Sequence, residues 1–234
     1  VEWADKLGAT YHTQDYPDWF GVFQGGDWAD PQVRDEGMKS VFGALEAVTL
    51  AGPVATGAAA SDVLPDTGRW NTLTRHWFQL MASGDPEQVS AASYADYQDT
   101  GVNWPVLSGY GDLFERMAQG LPIRTGVPVR RVEQGADNVC LHTAYGSLEA
   151  RGCIITASTA VLNGGGLDVA GGPAADLMDD IQQVPCGHYE KVAVLFEGKP
   201  LDGFRQPSIT IDSGEGSTVN FQIFPFDGNM ALAH

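Results

Sequence analysis

Apolar positions recur along the chain at two spacings, and the changes from one spacing to the other mark out its elements. From Gly126 to Leu162 the sequence reads GVPVRRVEQGADNVCLHTAYGSLEARGCIITASTAVL, three short β-branched runs divided by turn residues. Val127, Val129 and Val132, then Val139 and Leu141, then Ile154 and Ile155 supply the strand faces. Gly135-Ala136-Asp137-Asn138 and Tyr145-Gly146 supply residues that tolerate positive φ at the two reversals. The pattern predicts a β-meander whose last run enters a small-residue segment able to start a helix.

Helical spacing dominates the first half. Trp3 to Leu7 is a short helix stopped at Gly8, and the aromatic run Trp19 to Phe23 is a strand that turns at Gly25-Gly26-Asp27 and returns through Trp28. Asp30-Pro31 combines a capping carboxylate with proline at the first helical position. The helix it opens runs to about Leu50, with Val33, Met38, Val41, Phe42, Leu45 and Val48 in register and Gly52-Pro53 closing it. Trp70 to Met81 repeats the pattern, with Leu73, Trp77, Leu80 and Met81 on one face. Core packing accounts for these faces. An amphipathic helix headed by Ser108-Gly109-Tyr110-Gly111 precedes the meander. After it comes Lys191, followed by the run Val192 to Phe196, apolar on both faces, which predicts an internal strand. The whole is an α+β chain.

Composition narrows the class without identifying it. The chain has 234 residues, 43% hydrophobic and 10% aromatic, enough for one sizeable core or two modest ones. Thirteen basic against thirty acidic residues give a net charge of −17, which opposes binding to nucleic acid and to anionic membrane surfaces. A field of that sign could attract cationic amines, but the acids are scattered rather than clustered, which favours a solvated acidic surface. Cys140, Cys153 and Cys186, an odd number in apolar contexts, suit reduced buried thiols in a cytoplasmic protein rather than a disulfide framework. No run approaches the length of a membrane span, and no charged-then-apolar leader opens the chain. Val1 without a preceding methionine fits truncation or processing.

Several motifs invite specific chemistry and fail on context. Asp-Thr-Gly, at Asp66 and at Asp99, opens the active-site loop of aspartic proteases. Here the copies follow Leu64-Pro65 and Tyr97-Gln98 and continue with Arg69 and Val102, so Asp99 reads as a turn carboxylate ordering the segment with Asn103 and Trp104. Cys140-x-His142 and Cys186-x-His188 each put sulfur and nitrogen on one strand face, but no C-x-x-C knuckle accompanies them. No G-x-S-x-G elbow exists, so there is no serine-nucleophile signature. Lys191 either reaches solvent from an edge or sits desolvated, where its pKa falls and its ammonium seeks a partner.

The ordered set GYGDLFERMAQGLP, a glycine-proline-valine strand, ARGCIITASTAVL, PCGHYEKVAVLFE and NFQIFPFDGNMALA, with YQDTGVNWPVLSGYG ahead of it, resembles the flavin-containing monoamine and polyamine oxidases, their bacterial members above all. The resemblance covers nearly the whole chain. It implies a substrate-binding domain of mixed sheet plus helices built from residues 1–121 and 161–234, with the meander, 122–160, belonging to an FAD-binding, Rossmann-like domain. It implies FAD as cofactor, an amine and O₂ as small-molecule partners, and imine and H₂O₂ as products; a homodimer stays open.

Residue by residue, the resemblance puts Lys191 where the family holds a water against the flavin, and Val129 where backbone groups hold the adenine end. Thr156 and Ser158 fall in the cofactor turn, where serine stands in place of the family's proline and predicts a looser turn. Asn103, Trp104, Tyr110 and Phe224 fall at the substrate cavity. The family's G-x-G-x-x-G fingerprint is absent from the sequence, as is its C-terminal flavin segment, so the chain resembles the middle of a flavoenzyme. The 234 residues alone are then expected to be inactive. Another FAD-fold activity, desaturase-like, or a binding module without redox function, is the alternative.

Overall fold

The computed structural model describes residues 1–12, 20–98, 101–204, 208–213, 217–223 and 229–234. In chain order the strands are β1 (Phe20–Gln24), β2 (Asp27–Trp28), β3 (Val129–Gln134), β4 (Val139–Thr143), β5 (Gly146–Ala150), β6 (Asp168–Ala170), β7 (Val192–Leu195), β8 (Ser208–Asp212), β9 (Thr218–Ile223) and β10 (Met230–Ala233). The helices are α1 (Glu2–Leu7), α2 (Pro31–Ala51), α3 (Asn71–Ala82), α4 (Ala91–Ala95), α5 (Gly109–Ala118), α6 (Thr159–Asn163), α7 (Gly172–Asp176) and α8 (Met178–Ile181). Two compact units emerge: Val1–Met117 with His188–His234, and Ala118–Gly187.

The first unit carries a mixed six-stranded sheet in the order β2-β1-β8-β9-β10-β7. The Gly25-Gly26 reversal, both residues at positive φ, returns β1 into β2, and β1 then runs parallel to β8 from Phe20↔Ser208 to Gln24↔Asp212. Trp19, predicted to open this strand, lies outside the described residues. The α2 start follows the sequence signal: the Asp30 side chain accepts from the Gln32 amide at 2.8 Å, with Pro31 in the first turn. Val41 and Val48 are sealed from water, and Phe20 meets Trp77 of α3 edge-on at 4.9 Å. On α3 the buried residues are Leu73, Thr74, Trp77 and Phe78, whereas Met81, expected on that face, is exposed. Phe78 instead stacks on Tyr94 near the end of α4 at 4.8 Å, which turns the buried stripe by one position.

Gly52, which follows α2, is required by packing. A β-carbon there would collide with the Ala95 side chain and stand 2.5 Å from the Ala91 carbonyl oxygen, so α4 can sit on α2 only over a bare backbone. Gly52→Ala is expected to lower stability by about 1–3 kcal/mol through overpacking. A urea midpoint equal to that of the parent would show that α4 moves aside freely.

The second unit holds a four-stranded sheet, β5-β4-β3-β6, whose first three strands are the meander. Its third strand differs from expectation. It is Gly146–Ala150, which leaves the Tyr145-Gly146 turn at once, and Ile154 and Ile155 lie beyond it in irregular chain with Ile154 90% exposed. The first reversal uses no positive φ; Gly135 N donates to Asn138 O at 2.8 Å, closing a four-residue loop. Residues 161–187, assigned by sequence to the substrate-binding part, join the meander in this compact unit, because β6 pairs in parallel with β3 at Arg131↔Asp168 through Glu133↔Ala170.

The strand following Lys191 is the clearest departure. The sequence predicts it to be internal, yet β7 is at the sheet edge, paired to β10 alone among the described strands, with Val192 61% and Leu195 72% exposed. Apolar residues on both faces therefore do not make this strand internal. The cysteines differ too: Cys153 and Cys186 are exposed and Cys140 is half-buried, all three free.

Candidate functional site

Three of the four substrate-cavity residues predicted from sequence come together in the first unit. The segment after Gly101 is drawn against the N-terminal stretch by a Tyr11↔Val106 bridge, with His12 N donating to Pro105 O and Leu107 N to Thr10 O, each at 2.9 Å. α5 is locked to the end of α1 by Arg116, whose guanidinium reaches the Leu7 and Gly8 carbonyls at 3.2 Å and Asp112 at 2.9 Å. Ser108 Oγ donates to the same Asp112 at 2.6 Å, and this hydroxyl, followed by Arg116, holds the carboxyl below the usual carboxylate range. Ala4, Ala9 and Leu113 form the small core beneath.

Over that core lies a cleft of about 500 Å³ lined by Asn103, Trp104 and Tyr110 together with Trp3, Tyr11 and Phe114. Trp104 is half-buried, while Tyr110 and Phe114, one helical turn apart, pack at 5.9 Å on the open side. The Tyr11 hydroxyl donates to Asp5 at 3.0 Å, and that acceptor raises its pKa. Rings on several sides of a concavity take an apolar group and offer π faces to a cation. One already does so, with Lys6 Nζ 5.1 Å from the Trp3 ring. Phe114 was legible as the i+4 neighbour of Tyr110, whereas Trp3 and Tyr11 arrive by a pairing that no local pattern announces. Phe224, the fourth predicted residue, lies outside the described residues.

Lys191 is not among the residues lining this cleft. It stands exposed just before β7, with Nζ 5.4 Å from the Tyr189 ring centroid. A second cleft in the same unit, about 410 Å³, is polar and lined by residues including Arg75, His76, Gln79 and Thr218. His76 Nε2 and Thr218 Oγ1 are sealed from water there without a hydrogen-bond partner among the described residues. Burial, then the neighbouring His234, pushes His76 down to about 4.

The rejected motifs find ordinary roles. Asp66 Oδ1 accepts from Gly68 N at 2.8 Å and from Asn71 Nδ2 at 2.6 Å, which opens α3, while the second aspartate, Asp99, lies outside the described residues. His142 Nδ1 lies 3.1 Å from Ser147 Oγ across the β4–β5 pair.

In the second unit the predicted cofactor residues can be tested against a flavin nucleotide. β3 overhangs its parallel neighbour: pairing with β6 begins only at Arg131, and a register shift between Val129 and Arg131 interrupts the other ladder, so the backbone at Val129 and Arg130 is open on one side. That suits a contact made through main-chain groups. Ser158 keeps φ at −66°, within the range proline would impose, because its Oγ accepts from Val161 N at 3.4 Å and caps α6. The serine thus holds the turn that sequence predicts to be looser, and its side chain is committed to that cap. Thr156 is exposed two residues earlier. An open main chain at Val129 is compatible with a nucleotide held through backbone groups, and the sequence has no G-x-G-x-x-G turn for a pyrophosphate.

The family profile described as flavin containing amine oxidoreductase matches residues 15–230, and the chain belongs to that family. FAD is the cofactor this membership implies. No curated protein matches the sequence. Among solved structures, cyclohexylamine oxidase from Brevibacterium oxydans IH-35A superposes with a TM-score of 0.71 at 18% identity, over 100% of this chain and 60% of that one. Wild-type putrescine oxidase bound to putrescine gives 0.65 at 10% identity, over 99% and 60%. A CLA-producing fatty acid isomerase from P. acnes gives 0.60 at 14%, again over 99% and 60%. At these identities the likeness shows the fold, and the chain spans about 60% of the length of these structures. Among the described residues, no helix is long and apolar enough to cross a membrane.

Proposed function

We propose that this protein oxidises a primary or secondary amine, or an amino acid, to the imine, with O₂ reduced to H₂O₂. The observation that carries the proposal is the family match across residues 15–230, and the relatives whose names specify amines agree with it. Bound FAD would accept the hydride equivalent from the amine α-carbon and return the electrons to O₂. The protein's share is to hold a neutral amine and exclude water. We assign the aromatic cleft around Asn103, Trp104 and Tyr110 to the substrate, because rings flank an amine without taking its proton.

Val129 is assigned to the adenine end through its backbone, and Thr156 and Ser158 to the turn near the cofactor. Lys191 is assigned to a water beside the flavin, on the O₂ side of the reaction. A cytoplasmic location belongs to the same reading, supported by three free thiols, and the net charge of −17 supports the absence of nucleic-acid and anionic-membrane partners. A homodimer is compatible with it.

Flavin absorbance on the purified full-length protein, followed by peroxide release across a panel of amines, tests the proposal. The alternative, another FAD-fold chemistry such as a desaturase or a binding module, draws on the likeness to a fatty acid isomerase. It predicts bound flavin, or none, without amine-dependent peroxide. Because the 234 residues lack a phosphate-binding glycine turn, they alone should neither retain FAD through gel filtration nor turn over amines. Stoichiometric retention would overturn that expectation.

A further inference from the structure

Beside Lys191 stand two groups that the reaction scheme above leaves unused. Lys191 and Tyr189 lie two residues apart in the irregular segment that leads into β7, and their side chains meet. The 5.4 Å from Nζ to the ring centroid is within the range at which a π face holds an ammonium. The Tyr189 hydroxyl lies 2.6 Å from His234 Nδ1, and the two rings meet edge-on at 5.5 Å. Main-chain hydrogen bonds fix His234 and the residue before Tyr189: His188 N donates to Ser83 O at 2.8 Å, and His234 N donates to Asn220 O at 2.9 Å. Ser83 closes α3, and Asn220 is buried in β9. The chain just before the ring is therefore tied to a helix end, and the ring's hydroxyl reaches the sheet through His234. Lysine by contrast is a flexible four-carbon stem with no fixed geometry of its own.

We propose that Tyr189 and His234 are positioning residues, the ring anchored through its hydroxyl to His234 and holding the Lys191 ammonium at one place on the sheet edge. This inference rests on the assignment of Lys191 to the O₂ half of the reaction. A neutral His234 suits the arrangement, since Nδ1 can then accept from the tyrosine. Burial and then the Lys191 charge hold its imidazole below the ordinary range, while burial holds the Tyr189 phenol above its own. The groups facing His234 are Lys191 and Tyr189 from the segment before β7 and His76 from α3.

The test uses the flavin-loaded full-length protein and two readouts. In ¹³C-lysine-labelled protein the Lys191 ε-methylene, assigned by its disappearance in Lys191→Met, should be displaced upfield by the Tyr189 ring. Tyr189→Leu should abolish that displacement, and Tyr189→Phe should keep most of it. In stopped flow Tyr189→Leu should slow reoxidation by O₂ about two- to fivefold, the value of a cation–π contact at an exposed site. Anaerobic reduction by amine should be unchanged. Added to Lys191→Met, Tyr189→Leu should slow nothing further. An ε-methylene resonance that stays displaced upfield in Tyr189→Leu, or equal slowing with and without Lys191, would overturn the proposal. If Lys191→Met alone leaves the O₂ step unchanged, the assignment of Lys191 falls, and the resonance still decides whether the ring holds the ammonium.

Discussion

Lys191→Met in the flavin-loaded protein is expected to slow reoxidation by O₂ about ten- to a hundredfold, with anaerobic reduction by amine nearly unaffected. The range corresponds to losing one charge-assisted hydrogen bond to a water near the reacting centre. The geometry makes the test clean. Lys191 is exposed and no ion pair involving it is found among the described residues, so replacing it removes no buried partner and leaves no cavity. An unchanged melting temperature should accompany the slower O₂ step, which separates a functional loss from a folding defect. Methionine keeps the length and apolar character of the stem and removes only the charge. Equal O₂ rates in mutant and parent at matched flavin content would return Lys191 to the role of a surface residue.

How far the sequence foretells this molecule depends on the distance over which each interaction is made. Asp30-Pro31 announces α2 because a cap and its helix are neighbours in the chain, and the cap bond is there at 2.8 Å. The gathering of Asn103, Trp104 and Tyr110 is legible for a related reason, since they fall within one short segment and the first turn of α5. Trp3 and Tyr11 are not, because their place in the cleft depends on Arg116 reaching the carbonyls of Leu7 and Gly8 and on the Tyr11–Val106 bridge.

The position of β7 is illegible for a different reason. A run of apolar residues states a preference for burial without stating which strand will lie beside it, and here β10 takes one side while the other is the sheet edge. The meander errs by one strand for the reverse reason. The local turn at Tyr145-Gly146, where Thr143 Oγ1 accepts from Tyr145 N at 3.1 Å, starts β5 immediately, and the more hydrophobic Ile154 and Ile155 never compete. His234 and Tyr189 meet across 45 residues, so their hydrogen bond has no sequence signal at all.

Acid should destabilise this protein through His76 before its carboxylates titrate. The imidazole, half-buried on α3 with Nε2 sealed from water, stays neutral in the folded chain down to about pH 4, first because of burial and then because of His234. An unfolded chain protonates it near 6.5. Above that pH both states are neutral and nothing is lost. Between 6.5 and about 4 the unfolded state binds a proton that the folded state refuses, so stability falls with pH by as much as about 1.4 kcal/mol per unit. From pH 7 to pH 5 the loss attributable to His76 is at most about 2 kcal/mol, and less to the extent that solvent screens the half-buried ring. His234, also held low by burial and by Lys191, adds to it in the same direction. Glu87, Asp66 and Asp112, all held below their ordinary values, lose their contributions only as pH falls further, through the carboxylate range. The net charge of −17 works oppositely, because protonation relieves self-repulsion, but that effect is shared by parent and variant. The informative quantity is therefore a difference. Urea unfolding of the parent and of His76→Gln at pH 7 and pH 5 should show the variant losing less on acidification, by about 1–2 kcal/mol. Parallel losses in the two proteins would mean that water enters the Arg75–Thr218 cleft and solvates the charged imidazole, placing its folded-state pKa near 6.5 instead of near 4.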